Sequence, residues 1–389
     1  MKIVLTGGGS GGHITPILAV AHELKQLQPD IELIYIGQRG DQLLDIPEKH
    51  DSIDAVYSVR AGKFRRYHGE GWRQLLDFPT VAKNIRDFFK VIIGTWQSYK
   101  LLGKLKPDCV FIKGGFVGVP VGLAAAKRHI PFVTHDSDAL PGLANRMIAR
   151  WAAVHAVGLP KEVYKYPPDK TVTVGVPVQS EFSSVDDDQR KAFRKQIGLS
   201  ESGRLLFITG GGNGALSLNG VVAAFVPNLL TSYTDLTVIH VSGRMHGSSI
   251  EEKYNKLISI GEMRQRVIVK GFLTDLYAYS GAADVVITRA GATNLAEFAV
   301  QHKATIVVPN PLLTGGHQMK NAEFLSDQHA IVCIPESMLK NEPQAMEQAV
   351  RSLLDDPKSS KEMGDRFAAF AMPEAARKLA ELLLGQAKS

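Results

Sequence analysis

A glycine-rich pattern that follows an apolar run occurs twice in this chain of 389 residues. The first copy begins at Thr6 and reads TGGGSGG, and the second begins at Thr209 and reads TGGGNGA. Each copy leads into a helical pattern. A strand, a glycine turn and a helix in this order begin a βαβ unit, whose strands pair in a parallel sheet. The repeat therefore predicts two Rossmann-like halves.

Short apolar runs alternate with helical periodicity along the chain, and many of these runs end in glycine. We predict eleven strands, over residues 2–6, 32–37, 109–114, 131–135, 171–175, 205–210, 236–243, 266–271, 284–289, 304–309 and 330–334. This alternation predicts an α/β fold with parallel sheets. The stretch 176–200 turns polar and is the predicted linker, and 373–386 is a strong helix former that begins with proline.

The composition is that of a soluble globular protein, with 44% hydrophobic and 22% charged residues. Its two cysteines lie in apolar runs, so we expect a reduced cytoplasmic protein without a disulfide framework. We see no signal peptide, and no apolar run approaches the roughly 18 residues of a membrane span. The net charge of +6 suggests an acidic partner, which could be nucleic acid, anionic lipid or a phosphorylated substrate.

Glycine turns between a strand and a helix expose backbone N–H groups at the positive end of the helix dipole, where anions bind. Three such turns are predicted, at 7–12, 210–214 and 289–292. The first fits the dinucleotide fingerprint, but the second strand ends in Gln38-Arg39, without the acidic residue that binds the NAD ribose. An arginine leaves NADP possible. A P-loop is disfavoured because His13 stands in the place of its lysine.

Two side chains near these turns are candidates for chemistry. His13 begins a helix, whose dipole favours a neutral imidazole, as a general base requires. The alternative is a histidine without a chemical role. Glu297 follows Gly291 by six residues and can accept hydrogen bonds from paired hydroxyls such as those of a ribose. The alternative is an exposed helical glutamate.

The Asp136-Ser137-Asp138 triplet follows a predicted strand. Two such aspartates can bind a divalent metal and a nucleotide diphosphate. They can also form a loop with an Asx turn before a helix. We favour the loop, because the amides of the glycine turns can already neutralise a diphosphate.

The segment 60–106 combines cations with aromatic residues, having 11 Lys and Arg against 3 Asp and Glu. This composition suits an anionic membrane surface. It would equally suit single-stranded nucleic acid, which stacks on aromatic rings. The third possibility is a pair of helices with their aromatic residues in the core and their cations in solvent.

Six motifs in sequence order resemble those of the MurG family, the N-acetylglucosaminyltransferases that make lipid II, within glycosyltransferase family 28. The resemblance covers nearly the whole chain. The motifs are Gly7–Pro16 (GGGSGGHITP), Gly114–Pro120 (GGFVGVP), Gly175–Val178 (GVPV), Gly210–Ala215 (GGGNGA), Arg289–Glu297 (RAGATNLAE) and His317–Ala322 (HQMKNA).

The resemblance implies a GT-B fold, in which two Rossmann-like parallel-sheet domains face a cleft. Residues 1–178 would form the domain that binds the acceptor and associates with the membrane. Residues 179–372 would bind the UDP-sugar donor, and the helix 373–386 would pack back on the first domain. The implied reaction is inverting transfer of N-acetylglucosamine from UDP-N-acetylglucosamine to the C4 hydroxyl of N-acetylmuramic acid in lipid I. It needs no metal or other cofactor.

The resemblance also implies site residues, with His13 as the catalytic base. The implied donor-site residues are Ser10, Gly11, Gly12, Gly211, Gly212, Asn213, Gly214, Arg289, Ala290, Gly291, Ala292, Thr293, Glu297, Gln318 and Asn321. The implied acceptor-site residues are Gly9, His13, Gly114, Gly115, Phe116, Asp138 and Asn145. The implied partners are lipid I and, through 60–106, the anionic cytoplasmic face of the cell membrane, without nucleic acid.

The chain departs from the family pattern in several places. The family's HEQN-like loop reads His135-Asp136-Ser137-Asp138 here. Gly212 and Asn213 replace a serine and a glutamine, Gln179 replaces an arginine, and Gly316 replaces an acidic residue. These changes remove a hydroxyl and a cation from the donor side. A related UDP-sugar transferase with another lipid or metabolite acceptor is therefore the alternative, followed by a non-catalytic nucleotide-sugar- or nucleic-acid-binding protein.

Overall fold

The computed structural model describes residues 1–9, 11–63, 78–211, 214–258, 261–311, 316–342 and 344–388. Three predicted site residues, Ser10, Gly212 and Asn213, lie outside this range, as do residues 64–77 of the segment 60–106. The chain divides into two compact units. The first comprises Met1–Gln179 with Met372–Ser389, and the second comprises Ser180–Ala371.

The described part of the first unit contains one parallel sheet flanked by helices. Its strands are β1 (Lys2–Thr6), β2 (Glu32–Gln38), β3 (Ala55–Val59), β4 (Cys109–Ile112), β5 (Phe132–Asp136), β6 (Val154–Val157) and β7 (Thr171–Thr173). Its helices up to the linker are α1 (Gly11–Leu27), α2 (Asp45–Glu48), α3 (Phe78–Leu105), α4 (Gly118–Lys127) and α5 (Leu143–Ile148). The strand order is β3-β2-β1-β4-β5-β6-β7, and every pairing is parallel.

The second unit repeats this plan with six strands among its described residues. They are β8 (Arg204–Thr209), β9 (Leu236–Val241), β10 (Val267–Lys270), β11 (Val285–Thr288), β12 (Ala304–Val307) and β13 (Val332–Cys333). Its helices are α6 (Asp187–Gln196), α7 (Leu216–Ser232), α8 (Gly247–Leu257), α9 (Glu262–Gln265), α10 (Leu276–Ala282), α11 (Ala292–Val300), α12 (His317–Asp327), α13 (Gln344–Asp355) and α14 (Pro357–Ala368). The parallel strands follow the order β10-β9-β8-β11-β12-β13.

The central strands are apolar on both faces because helices cover both sides of each sheet. In β1, Ile3, Val4 and Leu5 are all fully buried. The C-terminal helix α15 (Ala375–Lys388) packs against α1. Its residues Leu379 and Leu383 enter the same apolar cluster as Ile3 and Leu5. The end of the chain thus completes the core of the first unit.

Both sheets reverse their strand order at one point, between β1 and β4 in the first unit and between β8 and β11 in the second. The loops that follow these strands leave the sheet in opposite directions, which opens a crevice at the carboxyl edge. Ligands of open α/β sheets bind in such crevices. This topology brings the predicted glycine turns of each unit to the edge where a ligand binds.

The predicted α/β fold with parallel sheets is confirmed, and all eleven predicted strands overlap a strand of the structure. Two strands were missed. β3 lies at the sheet edge with most of its side chains partly exposed, so it lacks an apolar run. β6 carries the buried His155, whose Nδ1 lies 2.8 Å from Thr134 Oγ1. The prediction also ran β4 to Gly114, whereas the strand ends at Ile112.

Candidate active site

Two glycine loops of the first unit pack backbone against backbone at the carboxyl edge of its sheet. Gly115 follows β4 with φ of +79°, and a Cβ atom there would collide with the carbonyl oxygen of Gly8 after β1. Gly9, with φ of +83°, lies under the ring of Phe116, and a Cβ atom would come within 2.7 Å of that ring. Glycine alone satisfies both the positive φ and the close approach.

His13 lies in the first turn of α1, beside these loops. A Cβ atom on Gly114 would lie 3.4 Å from its Cε1 atom, so the imidazole rests against the second loop. Its Nδ1 atom is buried and has no hydrogen-bond partner among the described residues. Burial and, after it, the charge of Lys113 lower the pKa of His13 to about 4, against the opposing effects of Asp138 and of a hydrogen bond with the Lys113 backbone. The imidazole is therefore neutral at physiological pH, which is the form that a general base requires.

Lys113 was missed by the sequence analysis, which placed it inside a strand. It is only 3% exposed, and its Nζ atom donates a hydrogen bond of 2.9 Å to Ser137 Oγ. Burial lowers its pKa to about 8, and the carboxylates of Asp138 and Asp136 act in the opposite direction. The available signal was a charged residue directly after a buried strand at the point where the strand order reverses.

The loop after β5 is held by its first aspartate. Asp136 accepts hydrogen bonds from the Gly142 backbone N–H at 2.8 Å, from Asn145 Nδ2 at 3.1 Å and from the Tyr166 hydroxyl at 2.9 Å. These bonds fix the turn before α5, as the loop interpretation of the triplet expects. Within the part of the chain that the structure describes, no group of three or more His, Cys, Asp or Glu could hold a metal ion.

The neighbours of Asp136 complete the polar cluster of the first unit. His135 is buried, which lowers its pKa well below the usual range, and its Nε2–H donates to the Gly175 carbonyl at 2.8 Å. Asn145 donates from Nδ2 to the His135 carbonyl at 3.0 Å. Its Oδ1 atom is buried without a partner in the described ranges. The predicted acceptor residue Asp138 receives a hydrogen bond from the Tyr164 hydroxyl on its carbonyl oxygen, at 3.0 Å.

In the second unit, the loop after β8 has the same glycine requirement. Gly214 has φ of +73°, and a Cβ atom there would collide with the carbonyl oxygen of Ser242. The same carbonyl accepts a 2.8 Å hydrogen bond from Asn219 Nδ2. Asn219 Oδ1 in turn lies 3.1 Å from His240 Nε2, so a buried chain of polar groups holds the loop from below.

Glu297 lies on the second turn of α11, just beyond the glycine turn at Gly291. It is 5% exposed, and its Oε2 atom has no hydrogen-bond partner among the described residues. Burial raises the pKa of this carboxyl to about 8. Burying a carboxyl oxygen without a hydrogen bond costs free energy unless a ligand supplies donors. A pair of ribose hydroxyls would supply them.

Arg289 follows β11, but its guanidinium is occupied by protein groups. It binds both carboxylate oxygens of Glu336, at 2.9 and 3.0 Å, and also the Val308 carbonyl and the Ser217 hydroxyl, each at 3.0 Å. A bidentate pair of this kind fixes orientation as well as charge. Arg289 thus ties together three loops and the first turn of α7, and its partner Glu336 was not among the predicted site residues.

The side chains of the HQMKNA motif also hold neighbouring loops. Gln318 Oε1 accepts a 2.9 Å hydrogen bond from the Asn310 backbone N–H, after β12. Asn321 is buried and donates from Nδ2 to the Ala290 carbonyl at 3.2 Å, after β11. Both side chains therefore lie at the carboxyl edge that carries Glu297.

Each unit brings its own predicted residues together. Near His13, the first unit gathers Gly9, Phe116, Gly114, Gly115, Asn145 and Asp138. In the second unit, Gly291, Ala292 and Thr293 lie in the first turn of the helix that carries Glu297, and Gly211 and Gly214 follow β8, which pairs with β11. Gly11 and Gly12 were predicted to contact the donor, and they lie in the first turn of α1, in the first unit. Their contact with the donor remains a prediction.

Comparison with known proteins gives the family. The profile of the glycosyltransferase family 28 N-terminal domain matches residues 3–157, and that of the C-terminal domain matches residues 205–379. A Bacillus subtilis protein named UDP-N-acetylglucosamine–N-acetylmuramyl-(pentapeptide) pyrophosphoryl-undecaprenol N-acetylglucosamine transferase is 31% identical, over 98% of this chain and 99% of its own. A relative of the same name from Lachnoclostridium phytofermentans is 36% identical over 92% of both chains.

A crystal structure gives the same result for the fold. That of MurG from Acinetobacter baumannii superposes with a TM-score of 0.70 at 23% identity, over 99% of both chains. The two parallel-sheet units are thus the two domains of a GT-B fold. With both family domains matched in order and curated relatives aligned along almost its full length, the chain belongs to glycosyltransferase family 28 and, within it, to the MurG family.

Proposed function

We propose that the protein transfers N-acetylglucosamine from UDP-N-acetylglucosamine to the C4 hydroxyl of N-acetylmuramic acid in lipid I. The product is lipid II, the precursor of peptidoglycan. The observation that carries the proposal is the similarity to transferases named for this reaction, because it extends through both units of the chain.

The second unit binds the donor. We assign the donor diphosphate to the turn at Gly291 and to the glycine loop after β8, because glycine turns at helix N-termini bind anions. Glu297, with its unsatisfied oxygen, accepts the ribose hydroxyls. Gln318 and Asn321 lie on the neighbouring helix α12 and contact the sugar. Arg289 acts indirectly, since Glu336 holds its guanidinium.

The first unit binds the acceptor and supplies the base. The loops at 7–12 and 114–116 hold the acceptor diphosphate through their backbone N–H groups. The neutral imidazole of His13 removes the proton from the C4 hydroxyl as that oxygen attacks C1 of the donor sugar. The bond from C1 to the diphosphate oxygen breaks, and UDP leaves with the electron pair. Attack from the opposite face inverts C1 and gives a β-1,4 link.

We infer further that α3 binds the anionic cytoplasmic face of the membrane, where lipid I resides. Its apolar side chains between 85 and 96 recur at spacings of three and four, on one face. They are 37% to 59% exposed, and they are Ile85, Phe88, Phe89, Ile92, Ile93 and Trp96. Cations accompany this stripe, and the Lys100 ammonium lies 3.8 Å from the centre of the Trp96 ring. Apolar and cationic residues combined in this way favour binding at a membrane interface.

Among the described residues, no helix is both long and apolar enough to cross a bilayer.

A transfer assay with a soluble lipid I analogue tests the reaction. We expect transfer from UDP-N-acetylglucosamine, little transfer from UDP-galactose, and no thermal stabilisation by NADPH. Transfer to a different acceptor, with none to the lipid I analogue, would favour the related-transferase alternative. Stabilisation by NADPH and by no UDP compound would overturn the proposal.

Vesicle binding tests the membrane surface. Phe88→Ser, Phe89→Ser and Trp96→Ser combined should abolish binding to vesicles of anionic lipid while transfer to a soluble acceptor persists. Phe324→Ser is the matched control, because this phenylalanine is 44% exposed in the second unit. If the triple variant binds vesicles as well as the control does, α3 is not the membrane surface. Binding of single-stranded nucleic acid that is lost in the same variant would favour the other partner.

A further inference from the structure

The polar cluster of the first unit contains a buried cation to which the proposed reaction assigns no role. Lys113 leaves the end of β4 at the point where the strand order reverses, and its ammonium lies beneath the glycine loops, 2.9 Å from Ser137 Oγ. Its backbone N–H donates to the Thr6 carbonyl at 2.9 Å, so its position is fixed to the strand that leads to His13. Burying an ammonium is costly, and a purely structural position would favour an apolar side chain.

Charged and titratable groups surround this ammonium from three elements. His13 faces it from α1, and His135, Asp136 and Asp138 face it from the end of β5 and the following loop. Asp136 is already bound by three donors of its own loop. Tyr164 and Tyr166 adjoin the two aspartates from the chain beyond β6. Asp138 interacts electrostatically with both His13 and Lys113.

We propose that Lys113 and Asp138 are positioning residues that act on His13 with opposite charges and together set how readily it accepts and releases a proton. The inference rests on the proposed function, in which His13 is the base, and it adds two residues that control this base. The charge of Asp138 departs from the resemblance, because Asp138 occupies the last position of the HEQN-like loop, where the family pattern has an uncharged amide.

The two charges act at different stages of the reaction. Before transfer, burial keeps His13 neutral, and the ammonium of Lys113 adds to this effect because it disfavours a second positive charge nearby. When His13 takes the proton of the acceptor hydroxyl, Asp138 stabilises the imidazolium that forms. Once the glycosidic bond is complete, the repulsion from Lys113 favours release of the proton. Neither residue needs to touch the substrate.

Titration of His13 by NMR in the full-length protein tests this directly. The signals of histidine-labelled protein are assigned by comparison with His13→Gln. Lys113→Met, which keeps the length of the side chain, should raise the pKa of His13 by about one pH unit, as expected for removal of a neighbouring like charge. Adding Asp138→Asn should return it close to the wild-type value. Lys303→Met is the matched control, because Lys303 is an equally buried lysine of the second unit that binds two backbone carbonyls.

A second variant keeps the test decisive if Lys113→Met does not fold. Asp138→Asn alone leaves the lysine in place and should lower the pKa of His13. A pKa of His13 that is the same in all folded variants overturns the inference. If the pKa of His13 in the double variant equals its pKa in Lys113→Met, Asp138 has no part in setting that pKa.

The acid limb of kcat/KM separates this inference from the proposed function. The pKa of this limb should follow the pKa from the NMR titration. It should rise in Lys113→Met and return to the wild-type value in the double variant. If the titration moves and the acid limb does not, the charge pair is supported, and the role of His13 as base is overturned instead.

Discussion

The two units share a strand order and a glycine turn, but they hold their cations differently. In the first unit, the ammonium of Lys113 binds a neutral hydroxyl and acts on the nearby His13. In the second, the guanidinium of Arg289 is bound by both oxygens of Glu336. A cation matched by a bidentate carboxylate fixes loops and exerts little field beyond its partner. This difference agrees with the proposed roles of the two units, proton transfer in the first and donor binding in the second.

The backbone amides of the two glycine loops also differ in the charge of the group that they bind. The Gly9 N–H donates to the Asp41 carboxylate at 3.1 Å, and the Gly211 N–H donates to the hydroxyl of Thr209 at 3.2 Å. Shared topology thus supplies backbone donors at both edges, whereas side chains from other elements decide the charge that each loop presents. We infer that the second loop is the freer of the two to neutralise a diphosphate.

The largest effect is expected from removing the base. His13→Ala should lower kcat by about 10²- to 10⁴-fold, the usual contribution of a general base, and leave the affinity for the donor unchanged. His22→Ala is the matched control, since His22 lies nine residues further along the same helix. Steady-state kinetics with both substrates provides the measurement. A kcat within twofold of wild type would remove His13 from the chemistry.

The glycine loops should separate the two substrates. Alanine at Gly115 would strike the backbone of Gly8, and alanine at Gly214 would strike that of Ser242. Strain in the backbone alone costs about 1–3 kcal/mol, so we expect kcat/KM for the affected substrate to fall about 10- to 100-fold. Gly115→Ala should raise the KM of the acceptor, and Gly214→Ala that of the donor.

Gly211→Ala provides the control for these two variants. Gly211 also has a positive φ, of +82°, but a Cβ atom there meets no group of the described residues within 4 Å. Gly211→Ala should therefore show the effect of backbone strain without a collision, and its kcat/KM should fall less than in the other two variants. If Gly115→Ala and Gly214→Ala both affect the same substrate, the assignment of one substrate to each unit is wrong.

The sequence predicted the fold well because its signals are local. Apolar runs that end in glycine, such as the one before Gly7, identify the buried strands of a parallel sheet without knowledge of their neighbours. The signal failed where burial was incomplete, as in β3, or where a buried polar side chain such as His155 found a partner across the sheet. Such partners are nonlocal, and no sequence window contains them.

The site was predictable only in part, for the same reason. Glycine turns identified the loops, and the structure brings His13 and Gly114 together as the motifs suggested. Lys113 was hidden because a charge at a strand end looks like an ordinary surface residue until the strand order is known. The partner of Arg289, Glu336, lies 47 residues away and outside every motif. Pairings of this length depend on the assembled sheet.

A smaller effect is expected at Glu297, where the affinity for the donor should depend on pH because this carboxyl titrates. The pKa of Glu297 is about 8, so the group is largely protonated at neutral pH. If the ionised form accepts the ribose hydroxyls, donor binding lowers this pKa, and affinity rises with pH up to about 8, by at most tenfold per pH unit. Above that value the free carboxyl is already ionised, and the affinity becomes constant.

Calorimetry with UDP-N-acetylglucosamine measures this, since its diphosphate has no terminal phosphate to titrate in the same range. Glu297→Gln resembles the protonated acid in shape and should fold normally. It should bind about tenfold more weakly at pH 8 and lose the pH dependence. A pH dependence that persists in Glu297→Gln would assign it to another group.

The smallest effect tests the contrast between the two loop amides. In Asp41→Asn, the amide oxygen can still accept the Gly9 N–H, so the loop keeps its shape while a negative charge is removed. If the loop receives the acceptor diphosphate, affinity should improve about two- to fivefold, the range of 0.3–1 kcal/mol for a charge near a helix N-terminus. Asp54→Asn makes the same charge change in the first unit, at a residue that binds Lys25 instead. The KM of the acceptor should fall in Asp41→Asn alone, with kcat unchanged. An increase would mean that the carboxylate orders the loop for its ligand, and the two loops would then bind anions in the same way.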